Sequence, residues 1–138
     1  MIDRLHSTGE HEYRLHWLLP DTSREELNGG MGAQFTGRDG AISTVEVATA
    51  GADALASWMR ADEQTCRGWV SPRYLERVPA WSWEIRASGT VVYFATHFGR
   101  AVTEVVFVAA SVQVAGTTLS LGRDSALVRD AQALISTA

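Results

Sequence analysis

The sequence predicts an all-β fold: an antiparallel β-sandwich or flattened barrel with one short C-terminal helix. Three observations carry this reading. Apolar and polar residues alternate with period two around residues 11–20 and 81–86. Runs rich in β-branched and aromatic residues follow from Thr90 onward, separated by glycine-containing turn signals. Only at the tail does the spacing become helical, with Leu127, Ala131, Leu134 and Ile135 on one face. Roughly nine or ten short strands in one chain fit a single sandwich-type domain. At 138 residues such a domain buries roughly two-thirds of its unfolded surface, enough to fold without a disulfide or structural metal.

Between His11 and Pro20, Tyr13, Leu15, Trp17 and Leu19 share one face while Glu12, Arg14 and His16 share the other, the pattern of a half-buried strand. Ile2 to Leu5 forms a second candidate strand, and Ser7-Thr8-Gly9-Glu10 supplies turn chemistry between them, so residues 1–19 are expected to form a hairpin. A start this close to a strand leads to the expectation that the chain is cut from a longer protein. Residues 21–31 are rich in loop formers, and Asn28-Gly29-Gly30-Met31-Gly32 reads as a turn. Ala33–Thr36 and Ile42–Val47 flank Gly37-Arg38-Asp39-Gly40, whose Asp-Gly pair is a hairpin signal. The stretch holding Leu55, Trp58 and Met59 reads as another strand. Trp81, Trp83 and Ile85 alternate against Ser82, Glu84 and Arg86, after which Ala87-Ser88-Gly89 is expected to turn the chain. Thr90–Phe98, Val102–Ala109, Val112–Val114 and Thr117–Leu121 complete the strands, and Asp124 or Ser125 can cap the terminal helix.

Composition narrows the function. The twelve basic residues are all arginine, and sixteen acidic residues give a net charge of −4, a balance that disfavours nucleic acid, whose binders cluster cations. There is no run of about 18 apolar residues to span a membrane as a helix, and no export signal is seen at the start. Cys66 is the lone cysteine, so no internal bridge is possible. His6, His11 and His16 recur at a spacing of five. An odd offset places successive strand residues on opposite faces, so His11 and His16 do not converge on one ion. The acidic pairs Glu25-Glu26 and Asp62-Glu63 lie in polar, loop-like segments. No catalytic constellation, metal site or cofactor motif emerges: the glycine-rich stretch at residues 28–32 lacks the spacing and lysine of a phosphate loop.

The five tryptophans say more. Trp17, Trp81 and Trp83 occupy inward positions of their strands, whereas Trp58 and Trp69 fall in less regular stretches. Sugars stack on aromatic rings, so Trp58 and Trp69 with Arg73 and Tyr74 are candidate carbohydrate-binding residues, set against the plainer expectation of core packing.

The stretch from Gly68 to Ala80, Gly-Trp-Val-Ser-Pro-Arg-Tyr-Leu-Glu-Arg-Val-Pro-Ala, resembles the C-terminal part of heparinase II/III-like polysaccharide lyases, which often show Gly-Trp-x-Ser-x-x-Tyr-Gly followed by Pro-Ala and a strand. The beginning is similar too: Ile2-Asp3-Arg4-Leu5, then Gly9-Glu10-His11 and a strand through Leu15-His16-Trp17-Leu18-Leu19-Pro20. One departure is Leu75, where the family commonly has glycine. The resemblance implies an α/α-toroid followed by antiparallel sheets, export to the periplasm for a complete member, and β-elimination of glycans containing uronic acid. Its catalytic Tyr and His, and a metal site, belong to the toroid and to an Asn-His-x-His-Ala-Asp-like segment, for which this chain has no matching positions.

The expectation is therefore a noncatalytic C-terminal β-sandwich region, residues 1–138, that supports the catalytic part of a bacterial polysaccharide lyase. Its expected partner is the remainder of a lyase chain or a second copy, together with acidic polysaccharide. The alternative is a stand-alone carbohydrate-binding module, and a third reading is an interaction domain unrelated to glycans. Leu18, Val70, Leu75 and Val78 break the inward alternation or lie in the irregular segment, and are expected at the surface a lyase would cover.

Overall fold

The computed structural model describes residues 1–108, 111–114 and 116–120. The strands are β1 (Ile2–Leu19), β2 (Ser23–Leu27), β3 (Gly32–Thr36), β4 (Ile42–Ala50), β5 (Ala54–Arg60), β6 (Trp69–Val70), β7 (Val78–Pro79), β8 (Trp81–Gly99), β9 (Val105–Val108), β10 (Ser111–Val114) and β11 (Thr117–Ser120), with one 3₁₀ turn at Asn28–Gly30. The terminal helix expected around Leu127–Ile135 lies outside the described residues.

β8 is the spine of the molecule. β1 runs antiparallel along one side of it, from the Ile2↔Ala95 pair to Leu19↔Trp81. The other side is shared: β5 pairs with residues Trp81–Ala87 and β4 with Tyr93–Gly99. β3 and then β2 extend the sheet beyond β4. The two halves of β8 turn their apolar faces toward a common core, in which Trp83 and Ile85 pack with Phe35, Val45, Val47, Val92 and Phe94. β9, β10 and β11 form a second sheet near the other face of the β4–β8 pair, where Phe107 meets Tyr93 with ring centroids 6.1 Å apart. The result is an all-antiparallel, sandwich-like fold and not a closed barrel.

The β3–β4 hairpin around Asp39-Gly40 forms as the sequence predicts, and so does the strand through Trp58. Three local expectations are corrected. Residues 1–19 form no hairpin but one long strand, because both halves pair with β8 and not with each other. The turn formers Ser7–Glu10 instead enter the register irregularity between His6 and His11: four residues of β1 face the single Thr90 of β8, a bulge at which a strand bends without reversing. Ala87-Ser88-Gly89 likewise lies within β8, opposite Tyr13, Glu12 and His11. Finally, Ser23–Leu27 is an edge strand paired with β3, although the segment reads as loop.

The Asn28–Gly32 turn has a structural task. Asn28, Gly29 and Gly30 take positive φ in succession (51°, 62° and 93°), which favours glycine. The Gly30 carbonyl then accepts hydrogen bonds from the indoles of both Trp83 (2.9 Å) and Trp58 (3.0 Å). Two large apolar side chains, Trp83 buried and Trp58 partly buried, thereby have their only polar atoms satisfied.

Candidate functional site

Two regions gather side chains with chemistry beyond packing. The first is the outer face of the β5–β8–β1 sheet. Ser82 and Glu84 alternate with Trp83 on β8 and so point away from the core, yet both are buried. The covering group is Arg67, from the excursion that leaves β5 at Ala61 and returns to β8 at Ala80. Its Nε donates to Ser82 Oγ at 3.0 Å and its Nη1 to Ser57 Oγ at 3.2 Å. Glu84 accepts from Arg86 Nε at 2.6 Å and Arg14 Nη1 at 3.3 Å, and Arg67 Nη1 lies 3.7 Å away. Burial works to raise the Glu84 carboxyl, but the Arg86 hydrogen bond and the charges of Arg67, Arg86 and Arg14 outweigh it and hold the group below its ordinary value.

His16 Nε2 lies 2.8 Å from Ser82 Oγ. That oxygen also accepts from Arg67 Nε, so Ser82 joins the His16 ring to the Arg67 guanidinium. Burial, and then the charge of Arg67, push His16 below its ordinary value, against the opposing pull of Glu84. The chain Arg67 to Ser82 to His16 resembles an activated hydroxyl in its connectivity. Ser82, however, has 0% exposed surface, so its oxygen presents nothing to a polymeric substrate. The network holds β1, β5 and β8 to the excursion.

The second region is the excursion itself. Its neck is Gly68, whose carbonyl accepts from the amides of both Ala61 (3.0 Å) and Ala80 (2.8 Å). A Cβ on Gly68, at φ +77°, would meet the Ala61 nitrogen at 2.6 Å and the Arg60 Cα at 2.8 Å, so only glycine closes the neck. Beyond it β6 and β7 pair, and the tip reverses at Leu75, which takes φ +61°. That is the conformation glycine adopts readily, at the one position where the sequence departs from the lyase-like pattern. Leucine occupies the left-handed position here.

Of the four candidate sugar-binding residues, Trp69, Arg73 and Tyr74 share this excursion and Trp58 does not. Trp58 faces the core: its ring stacks on Trp83 with centroids 4.7 Å apart, and the Arg24 guanidinium lies 4.5 Å from its centre. Trp69 carries Arg77 over its ring at 4.1 Å and donates its indole N–H to the Asp62 carbonyl. Arg73 lies at the tip, 3.9 Å from Glu76, and Tyr74 beside it is 93% exposed. Trp17 and Trp81 pack against the core as the alternation predicts. Leu18, Val70 and Leu75 are exposed, while Val78 is half-buried.

Sequence reasoning missed the Arg67–Ser82–His16–Glu84 network. Alternation placed Ser82, Glu84 and His16 on the polar faces of their strands, and nothing in it marked Ser82 and Glu84 as buried. The only signal pointing to Arg67 was its place beside the Gly68 neck.

No family model and no curated protein matches the chain. Among solved structures, the fold is similar to that of heparan sulfate lyase HepC from Pedobacter heparinus, at 14% sequence identity and a TM-score of 0.58, covering 90% of this chain. A mutant of the same lyase matches at 14% identity and a TM-score of 0.57 over the same 90%. In both cases the chain spans 22% of the length of the lyase. This likeness is one of fold, and at that level it bears out the resemblance read from Gly68–Ala80.

Proposed function

We propose that the chain is a noncatalytic β-sandwich region, the C-terminal part of a heparinase II/III-like polysaccharide lyase, and that it supports the catalytic part of an enzyme that cleaves uronic-acid-containing glycans by β-elimination. The observation that carries this reading is the fold likeness over 90% of the chain to 22% of a heparan sulfate lyase. The Gly68 neck and the left-handed turn at Leu75 add to it, because they give structural reasons for the glycine positions in the family's pattern. β-Elimination needs a base to take the C5 proton and an acid for the leaving oxygen, and the hydroxyl nearest to an activated geometry, Ser82, is sealed. Incubation of the isolated chain with heparan sulfate, alginate and chondroitin is expected to give no rise in ultraviolet absorbance from unsaturated uronate. A reproducible rise that is lost in His16→Gln would contradict the noncatalytic assignment.

A second reading, a carbohydrate-binding surface at the tip, is favoured by the exposure of Tyr74 beside Arg73. Calorimetry with heparan sulfate oligosaccharides tests it. Binding that falls about tenfold in Tyr74→Ala, roughly the loss of one stacking or cation–π contact at a favourable site, supports this reading, and unchanged binding or none removes it.

A further inference from the structure

The free edge of β1 fits a second copy of itself. Among the described residues β1 pairs only with β8, so the other edge of an 18-residue strand presents unpaired backbone groups, a template for another strand. Between His11 and Leu19 it carries no proline, and its pairing with β8 is regular. Its outward side chains are ordered by charge: Glu12 comes first, then Arg14. An antiparallel partner reverses that order. A strand running antiparallel to an identical strand, with Tyr13 on the two-fold axis, sets Glu12 opposite Arg14 twice, while Leu15 faces His11 on the inner side.

The electrostatics within one chain favour this register. Arg14 lies directly across from Arg86 in the β1–β8 pairing, and like charges placed opposite each other on a sheet are unfavourable. Their neighbours Glu84 and Glu12 compensate diagonally, through the Arg14–Glu84 contact at 3.3 Å and the Arg86–Glu12 contact at 3.7 Å. A Glu12 from a second copy, beside Arg14 on its open side, extends this into an alternating row across four strands.

We propose that β1 is a self-complementary edge through which two copies of this chain join in an antiparallel, two-fold symmetric pair, producing a continuous β8–β1–β1–β8 sheet. The geometry is isologous and closes at two copies, so it does not propagate into a fibre. A seam of one strand pair is small beside standard interfaces of about 1,600 Å², so the dimer is weak, dependent on concentration, and loosened by salt. The inference stands apart from the lyase assignment, since it rests only on the edge and its charges.

Site-specific disulfide trapping tests it. Residues directly opposite in an antiparallel pair have Cα atoms about 4.5–5.5 Å apart, inside the disulfide range, whereas diagonal neighbours at about 7–8 Å fall outside it. In a Cys66→Ser background, Glu12→Cys mixed with Arg14→Cys is expected to give a covalent dimer under mild oxidation, while neither variant alone does so. Sedimentation of the wild-type chain is expected to show a monomer–dimer equilibrium that shifts to monomer in high salt. The proposal is overturned by a wild type that stays monomeric at the highest soluble concentration, by the absence of a bridge in the mixture, or by equal bridging in all three samples, which reports random collision.

Discussion

The two faces of β8 are buried to the same degree by opposite means. Trp83 and Ile85 on the inner face, and Ser82 and Glu84 on the outer, all lie below a few per cent exposure. The inner face is closed by apolar strands that any alternating pattern would seek. The outer face is closed by arginines: Arg67, delivered by an excursion of about twenty residues whose neck depends on Gly68, covers Ser82, and Arg86 and Arg14 join it around Glu84. The contrast shows that a strand's polar face need not be its solvent face: here it is the attachment surface for the excursion between β5 and β8.

The contrast can be tested from both sides. Trp83→Ala removes the largest fully buried side chain and leaves the Gly30 carbonyl short of one donor, so denaturant unfolding should show a loss of about 3–5 kcal/mol. Glu84→Ala, on the other face, takes the carboxylate away from Arg67, which keeps its hydrogen bonds to Ser57 and Ser82, and leaves Arg14 and Arg86 free to reach water. The expected loss is smaller, about 1–3 kcal/mol, and comparable losses in the two variants would mean that the polar network matters as much as the core.

The pH dependence sharpens the comparison further. His16 is held below its ordinary value in the fold, so the folded chain binds fewer protons than the unfolded one as pH drops through the ordinary histidine range. Its contribution to stability is complete above that range and is lost as pH falls toward the folded value. Glu84, also depressed, adds a second loss at more acid pH, from the ordinary carboxylate range down through its folded value. Urea midpoints measured across pH should therefore fall in two stages, and His16→Gln should remove the first stage only. The smallest effect is expected at the exposed tip, where Leu75→Gly relieves the left-handed strain at the cost of a more flexible unfolded chain. A gain of up to about 1 kcal/mol is expected, and a loss would show that the Leu75 side chain makes contacts of its own.

What was legible in the sequence follows the same division. The core register of Tyr13, Leu15, Trp17, Trp81, Trp83 and Ile85 could be read directly, because alternation reports which face is apolar. Chain direction could not. Ser7–Glu10 and Ala87–Gly89 have turn composition, but whether such residues reverse a chain or bulge a strand is decided by the strand that pairs alongside. The polar network was hidden for a related reason: Arg67 and Ser82 are fifteen residues apart, and nothing local to either names the other. Of the proposed sugar-binding set, the sequence placed Trp69, Arg73 and Tyr74 in one irregular segment, whereas Trp58 belongs to the core through its pairing with Trp83.

The central claim, that this fold serves as one region of a larger polysaccharide lyase, is tested most directly by sequencing the DNA immediately upstream of the Met1 codon in the source genome. The account predicts an open reading frame continuous with this one that encodes an α/α-toroid. A stop codon followed by a ribosome-binding site would contradict it and leave a self-contained β-sandwich module in its place.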